Sequence, residues 1–345
     1  MFQNFFGNRA AAETLETMIR RDRIPQTLLL HGPQGVGKAT LARRFAAALL
    51  GDPAKIEADD LSLPSNQAAI AERDKLLSEK RAEDPLLFGS HPDFLTFPPE
   101  GPLRQISIQQ MRLLKERAQF QPLRGRWRVF LIDRLDRANE QAANSLLKTL
   151  EEPPPHLILV ATAENPYDLL PTIRSRAVPI HLGPLDEGEM QAFLESRGTQ
   201  DAGRRGALAA GLPGVAVSLD LAVYDRRREA MMVFLEVASG HSPFAAWAPH
   251  SESIASRKTE KLEYYLEVLY LLLEDLLLFA SRPAALRNGD IRERLAVLAA
   301  RAGFDWIRAA VRRVDELEDL LRRNIQKSIA LDALALELRA LARIA

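Results

Sequence analysis

Short apolar runs alternate with segments of helical periodicity through the first half of the chain. Five of these runs predict β-strands, at 27–30 (TLLL), 93–97 (DFLTF), 128–133 (RVFLID), 157–162 (LILVAT) and, more weakly, 177–182 (AVPIHL). Because helical segments separate the runs, the pattern predicts an α/β domain in which helices cover a parallel five-stranded sheet.

Two helices beside these strands are predicted from local sequence. Residues 39–50 are rich in Ala and Leu, and residues 107–120 begin with Ser107, a residue type favoured at an N-cap. Between them, residues 51–90 are highly charged and carry two early prolines. We interpret this stretch as an insertion with one exposed helix at 66–84 (NQAAIAERDKLLSEKRAED).

The strand pattern ends near residue 183, and helical periodicity follows it to the end of the chain. We therefore predict three parts: the α/β domain over 1–183, a small helical domain over 184–224 and a C-terminal helical domain over 225–345. The last part is interrupted near SRPAALRNGD at 281–290.

Composition narrows the class of protein. The 345 residues favour two or three domains, and 47% hydrophobic with 27% charged residues is typical of a globular protein. Lys+Arg and Asp+Glu both number 46, which argues against a broad basic surface for nucleic acid. The absence of cysteine excludes disulfides and thiolate metal sites. The apolar stretch 265–280 contains three acids, so we expect a buried helix, no membrane contact and a cytoplasmic protein.

A glycine loop follows the first predicted strand. The segment HGPQGVGK places Gly32, Gly35 and Gly37 before Lys38, close to the P-loop pattern G-x-x-x-x-G-K-[ST]. Between a strand and a helix, such a loop presents backbone N–H groups and a lysine to phosphate oxygens. An ordinary glycine-rich turn is the alternative, and the flanking elements favour the nucleotide site.

The loop lacks the hydroxyl residue that normally holds Mg²⁺, because Ala39 occupies that position. Thr40 carries a hydroxyl one residue later, but successive helical side chains point about 100° apart. The sequence therefore predicts a degenerate nucleotide site with an impaired metal position.

An acid ends the third predicted strand. Asp133 occupies the position at which this kind of site holds Mg²⁺, although a strand-terminal acid alone would be equally compatible with a structural role. The next residue is Arg134, a permanent cation that cannot orient an attacking water as a base. Asp136 is interpreted as a structural or surface acid.

Two arginines precede the fifth predicted strand, in LLPTIRSRAVPI. Arg174 and Arg176 are compatible with a solvated basic turn. They are also compatible with an arginine finger, in which one guanidinium reaches a phosphate bound by a neighbouring subunit.

Three segments together resemble the AAA+ clamp-loader subunits of bacterial DNA polymerase III, and within them the delta-prime type. They are GPQGVGK, FLIDRLDRANEQAANSLLKTLEEPP and LLPTIRSRA. The stretch 139–154 is the most specific. The resemblance covers residues 1–221 well and continues weakly into LRRNIQKSIALDALALEL at 321–338.

The resemblance implies an AAA+ module, a small helical lid and a C-terminal helical collar for the three predicted parts. It also implies that Arg176 is an arginine finger acting in trans and that Thr162 is the sensor-1 residue. Gly214 stands where the sensor-2 arginine is expected. Many members hold zinc through four cysteines between the first helix and second strand; this chain has none, so its insertion requires another means of support and no zinc is expected.

The changes at Ala39, Arg134 and Gly214 each remove a different part of the hydrolysis machinery. The resemblance then implies a non-hydrolysing subunit of the DNA polymerase III holoenzyme, a DNA-directed DNA polymerase, that helps load the sliding clamp onto primed DNA. The implied partners are gamma/tau and delta subunits, the sliding clamp and primer-template DNA contacted through its backbone. ATP binding without hydrolysis is left open.

Two alternatives remain at the level of sequence. One is an active AAA+ ATPase of the gamma/tau motor type, in which Thr40 or a water restores the metal site. The other is a nucleotide-binding scaffold that has no role in replication.

Overall fold

The computed structural model describes residues 2, 4–257, 260–279, 281–282, 286–321 and 326–342, with the backbone alone at 319 and 321. The chain forms two compact units. The first contains Met1–Thr199 and Gly211–Val215, and the second contains Gln200–Ala210 and Ala216–Ala345. Helices of the predicted lid fall in both units, and the three-domain division stays a prediction.

A six-stranded sheet forms the centre of the first unit, with strand order β2-β3-β4-β5-β1-β6. The strands are β1 (Thr27–His31), β2 (Phe88–His91), β3 (Phe94–Phe97), β4 (Arg128–Ile132), β5 (Leu157–Ala163) and β6 (Val178–His181). All pairings are parallel except that of β2 with β3. The five predicted strands are confirmed, and apolar side chains fill both faces of the parallel part.

The prediction of five strands was one short, because β2 gives a weak sequence signal. It has four residues, it contains Gly89, and its two central residues are exposed. The strand lies at the edge of the sheet, where the buried Asp59 carboxylate accepts the Ser90 backbone N–H at 3.0 Å. This contact satisfies an edge N–H that would otherwise be unpaired.

Nine helices are described in the first unit before residue 200. They are α1 (Arg9–Arg20), α2 (Lys38–Leu50), α3 (Pro53–Glu57), α4 (Pro64–Asp74), α5 (Ser78–Glu83), α6 (Ile108–Ala118), α7 (Glu140–Glu151), α8 (Pro171–Arg174) and α9 (Glu187–Ser196). The predicted N-cap is confirmed: Ser107 and Gln110 form a capping box at the start of α6. Asn139 caps α7 in a similar way by accepting the Ala142 N–H.

The prediction of one helix over 66–84 was wrong, because the chain turns at 75–77 between α4 and α5. The turn brings Arg73 within 2.8 Å of Asp84 and 3.5 Å of Glu100. In a continuous helix, residues 73 and 84 would lie about 16 Å apart along the axis. The ion pairs of Arg73 therefore form only because the helix that the sequence pattern predicts is interrupted.

Ion pairs and buried isoleucines connect the insertion to the rest of the first unit. The Arg43 guanidinium of α2 is 2% exposed and contacts Glu57 at 2.9 Å and Asp60 at 2.5 Å. The side chains of Ile56 and Ile70 in the insertion are also buried. Burial raises the pKa of Asp59, and the hydrogen bonds from Ser90 act against this shift.

The second unit is helical throughout its described residues. Its helices are α10 (Ala202–Ala209), the end of α11 (Pro213–Ser218), α12 (Leu221–Ala238), α13 (Ala248–Ser256), α14 (Glu263–Phe279), α15 (Arg292–Ala299), α16 (Phe304–Leu321) and α17 (Lys327–Ala342). In the predicted collar segment at 321–338, residues 322–325 lie outside the described residues.

The apolar stretch at 265–280 is the buried helix that the sequence predicts. Through residue 279 it lies in α14, where Leu269, Leu272 and Leu273 are buried in the core of the second unit. The buried carboxylate of Asp275 accepts the backbone N–H groups of Arg287 and Asn288 at 2.7 and 3.0 Å. In the part of the chain that the structure describes, no helix is long and apolar enough to cross a bilayer.

Candidate functional site

The glycine loop lies where the sequence places it, between β1 and the start of α2. Gly35 and Gly37 adopt positive φ angles of 83° and 106°. The Gly32 N–H donates to the carbonyls of Ala163 and Glu164 at the end of β5, each at 3.2 Å. The loop is thus fixed to the carboxyl edge of the parallel sheet, the edge at which α/β proteins bind ligands.

Lys38 turns back onto its own loop. Its buried ammonium donates to the carbonyl oxygens of Gly32 at 2.5 Å and Pro33 at 2.8 Å. Burial lowers the pKa of Lys38, and the nearby carboxylates of Glu164, Asp133 and Asp136 act against this shift. Two carbonyl oxygens of the loop backbone therefore accept hydrogen bonds from the ammonium that the sequence predicts to bind phosphate.

Residues 211–215 cover the outer side of the loop. The Gly214 N–H donates to the Gly35 carbonyl at 2.8 Å. A Cβ at Gly214 would lie 3.0 Å from the Gly35 Cα, and a Cβ at Gly35 would lie 3.0 Å from Val215 Cγ2. The position expected to carry a sensor-2 arginine is thus in close backbone contact with the glycine loop, where a side chain would be tightly packed.

Apolar groups pack around the end of the glycine loop and the start of α2. The Phe5 ring packs over Gly37, where an added Cβ would lie 3.4 Å from ring carbon Cε2. Ala39 is partly buried and packs against the same core as Phe5 and Leu212. Within the described residues, Thr40 makes no hydrogen bond to Lys38 or Asp133. Ala39, at the start of α2, therefore contributes a packing methyl group and carries no hydroxyl.

The structure brings Asp133 and Thr162 together, although 28 positions separate Thr162 from Arg134 and 29 from Asp133. The buried Thr162 hydroxyl donates to Asp133 Oδ1 at 2.7 Å and accepts the Arg134 N–H at 2.7 Å. The adjacent strands β4 and β5 end side by side and place the two residues at the same edge. One carboxylate oxygen of Asp133 is thereby engaged by a protein hydroxyl.

The side chain of Arg134 fills the space beside this pair. Its Nη2 lies 2.8 Å from Glu164 Oε1, a residue that the sequence reasoning missed. Burial raises the pKa of Asp136. Lys38, Asp133, Arg134, Asp136 and Glu164 together form a group of neighbouring charges, which we call the loop cluster. Arg134 and Glu164 form an ion pair, whereas the buried Oδ1 of Asp136 has no hydrogen-bond partner among the described residues.

A histidine pair at the same edge was also missed. His31 and His181 end the neighbouring strands β1 and β6, and their ring centroids are 5.0 Å apart. Burial, followed by the charges of His181 and Lys38, lowers the pKa of His31. The pairing follows from strand order, which the sequence does not show.

Arg176 lies on the surface, just beyond α8. Its Nη1 donates to the Thr172 carbonyl at 2.9 Å, and its Nη2 donates to Glu151 Oε1 at 2.9 Å. Arg174 instead stacks on the exposed Tyr167 ring at 4.8 Å from the centroid. Arg176 makes no hydrogen bond or ion pair with the glycine loop within the described residues, so the two predicted functional features are separate in this chain.

The residues around the loop lack the hydroxyl ligand that a magnesium–nucleotide complex normally has at position 39. Position 39 supplies a methyl group that packs against the apolar core. No group of three or more His, Asp or Glu side chains in the described ranges is arranged to hold a metal ion. The loop cluster offers Asp133 alone at the expected position, with Thr162 already bonded to it.

Comparison with known proteins agrees with the segments that the sequence singles out. The sequence model of a family described as "DNA polymerase III, delta subunit" matches residues 7–186, which include Lys38, Asp133, Thr162 and Arg176. The chain is 31% identical to DNA polymerase III subunit delta' of Pseudomonas aeruginosa over 68% of its own length and 58% of that protein. It is 26% identical to DNA polymerase III subunit tau of Escherichia coli over 56% of its length and 27% of that protein.

These alignments span less than two thirds of the relatives' own lengths. Among solved structures, a DNA polymerase III gamma subunit-related protein from Thermotoga maritima aligns with 95% of this chain and 99% of its own. That alignment has 17% identity and a TM-score of 0.45.

Proposed function

The chain belongs to the DNA polymerase III delta subunit family, and on that premise we propose that it is a delta-prime-like, non-hydrolysing subunit of a clamp loader. In this role it helps place a sliding clamp on primed DNA and donates Arg176 to the ATP site of a neighbouring subunit. The observation that carries the proposal is the contrast between a closed glycine loop and an accessible arginine.

The closed loop supports the absence of hydrolysis. Lys38 is bonded to Gly32 and Pro33, the hydroxyl position is Ala39, and Arg134 stands where a water-orienting acid is expected. A transferring phosphoryl group needs its positive donors and metal in place before reaction. Here those donors have partners within the protein.

The same contacts act against nucleotide binding. Bound phosphates would have to draw Lys38 from its two carbonyl acceptors. ATP held without hydrolysis thus requires rearrangement of this side chain. We propose that the loop serves mainly to anchor α2 and residues 211–215.

The accessible arginine supports action on a neighbour. The Arg176 side chain is 34% exposed, and two of its five guanidinium N–H groups have no acceptor in the described structure. An arginine delivered to a bound γ-phosphate in trans stabilises charge that develops in the transition state. The expected partners are the gamma/tau and delta subunits, together with the sliding clamp and the DNA backbone.

The test is a complex reconstituted with the other loader subunits, containing either wild-type protein or the Arg176→Ala variant. We expect intact assembly and a loss of about 10³-fold or more in ATP turnover at the site that receives the finger, with slower clamp loading. Single-turnover ATP hydrolysis and a fluorescence clamp-loading assay measure the two rates.

Arg174→Ala is the matched comparison. Arg174 lies in the same segment, two residues before Arg176, but its side chain stacks on Tyr167. If Arg174→Ala slows hydrolysis while Arg176→Ala does not, the finger was assigned to the wrong residue. If neither variant slows it, the proposed role is wrong.

A motor subunit is the second candidate, because the chain is also similar to DNA polymerase III subunit tau. The isolated protein separates the two roles. We expect no ATP turnover above the level of a Lys38→Ala variant. Turnover that Lys38→Ala abolishes would establish the motor role instead.

A further inference from the structure

The environment of Arg176 contains a feature that the proposed finger role does not itself explain. Three acceptors surround the guanidinium: the Thr172 carbonyl and the Ser175 hydroxyl contact Nη1 at 2.9 and 3.3 Å, and Glu151 contacts Nη2 at 2.9 Å. Thr172 and Ser175 belong to the same turn as Arg176. Glu151 comes from a different element, the end of α7.

Glu151 occupies an unfavourable place for an acid. It is the last residue of α7, where the helix macrodipole disfavours negative charge. Its carboxylate has one ion-pair partner among the described residues, Arg176. The contact with Arg176 is therefore the interaction in the structure that accounts for an acid at this position.

The end of α7 is held firmly, which allows Glu151 to serve as a fixed point. The Glu152 N–H donates to Lys148, and the Gln26 side-chain amide donates to the carbonyls of Pro153 and Pro154 at 3.4 and 3.1 Å. Gln26 directly precedes β1. The helix end that carries Glu151 is thus tied to the central sheet.

We propose that Glu151 is a positioning residue for Arg176, an inference that rests on the proposed finger role. Its carboxylate fixes the orientation of the guanidinium before the neighbouring subunit arrives. The two N–H groups that remain free can then meet a phosphate. A pre-oriented arginine loses less conformational entropy when the subunits assemble than a freely rotating one.

The geometry favours positioning over capture of the arginine by Glu151. A carboxylate that captures arginine typically takes two parallel hydrogen bonds. Glu151 makes a single hydrogen bond, and its carboxylate is 50% exposed. An ion pair this exposed is weak in water, so it can orient the guanidinium without withholding its charge from a phosphate.

The experiment uses the same reconstituted complex with Glu151→Ala and Glu151→Gln variants. The glutamine keeps an acceptor oxygen but not the charge. We expect Glu151→Ala to lower single-turnover ATP hydrolysis about 2- to 5-fold, the scale of one exposed ion pair. The KM for ATP should not change, and Glu151→Gln should recover most of the rate. Glu152→Ala, at the adjacent exposed position, is the control and should match wild type.

A double-mutant cycle separates this inference from the finger proposal. In the Arg176→Ala background, Glu151→Ala should have no further effect, because it acts only through the arginine. If Arg176→Ala itself changes nothing, the finger role is wrong. If Arg176→Ala slows hydrolysis but Glu151→Ala does not, only the positioning role is wrong. Faster hydrolysis with Glu151→Ala, or an equal loss in both backgrounds, would also overturn it.

Discussion

At the glycine loop, two residues at positions expected to carry catalytic groups contribute to packing. Ala39 places a methyl group against the core, and Gly214 brings its backbone to within hydrogen-bonding distance of Gly35. An arginine at position 214 would collide with the Gly35 backbone in this arrangement. The residue types at positions 39 and 214 therefore belong to the close fit of the loop.

This fit predicts that Gly214→Ala destabilises the first unit, although Ala is the better helix former and position 214 lies in α11. The new Cβ would meet the Gly35 backbone at 3.0 Å, and such overpacking costs about 1–3 kcal/mol. Thermal unfolding and hydrogen exchange of peptides over 32–38 and 211–215 measure the effect.

Gly203→Ala is the matched control, because position 203 is helical and nothing lies within 4 Å of an added Cβ. That variant should gain about 0.5–1 kcal/mol from helix propensity. If Gly214→Ala stabilises the protein as Gly203→Ala does, the close contact with Gly35 does not exist in solution.

Some residue contacts could be predicted from the sequence and others could not. Asp133 and Thr162 end neighbouring predicted strands, so their meeting at one edge follows from a parallel sheet. The return of Lys38 to its own loop depends on tertiary packing around it. The Glu151–Arg176 pair depends on where two helix ends meet, 25 positions apart, and no local pattern encodes that distance.

At the scale of elements, apolar runs and capping residues predicted the observed strands and helix starts where local and tertiary preferences agree. Five strands and the Ser107 cap follow directly from the pattern. The helix over 66–84 failed because long-range ion pairs of Arg73 favour a turn within a sequence that is locally helical. Strand β2 was missed because a short, exposed edge strand has almost no alternating pattern.

The ion pairs that hold the insertion predict a local effect of Arg43→Met. The methionine fills similar space but leaves Glu57 and Asp60 without their buried partner. Hydrogen bonds to charged groups contribute about 1.5–3 kcal/mol. We expect a loss of that size, detected as faster hydrogen exchange in peptides that cover α3 and α4.

Arg126→Met is the control for this prediction. Arg126 pairs with Asp22 at 2.6 Å, but the two side chains are 63% and 62% exposed. Removing such a pair should cost less than about 1 kcal/mol. Equal effects of the two variants, or unchanged exchange in α3 and α4 with Arg43→Met, would show that the insertion is supported by other contacts.

At the scale of the whole molecule, the two units have separate hydrophobic cores, on the two faces of the sheet in the first unit and among the helices of the second. The sequence indicated the change from alternating strands and helices to helices alone. It did not indicate that residues 200–210 belong with the second unit while 211–215 belong with the first. That division depends on which core each helix packs against: Leu208 lies in the helical core, and Leu212 packs beside the sheet.

Separate cores predict that the two units respond separately to core mutations. Leu131 in β4 and Leu269 in α14 are each fully buried, in different cores. Leu→Ala at either position should cost about 2–5 kcal/mol and lower the denaturation midpoint of its own unit only. Trp127 reports on the first unit, and Trp247 and Trp306 report on the second.

Urea denaturation is therefore followed by tryptophan fluorescence in two variants. The Trp127→Phe variant reports on the second unit alone, and the Trp247→Phe/Trp306→Phe variant reports on the first unit alone. In these two backgrounds, Leu269→Ala should shift the transition reported by Trp247 and Trp306 and leave that of Trp127 in place, and Leu131→Ala should do the reverse. Since a shared cooperative transition moves as a whole, equal shifts of both signals by either mutation would mean that the two cores unfold as one.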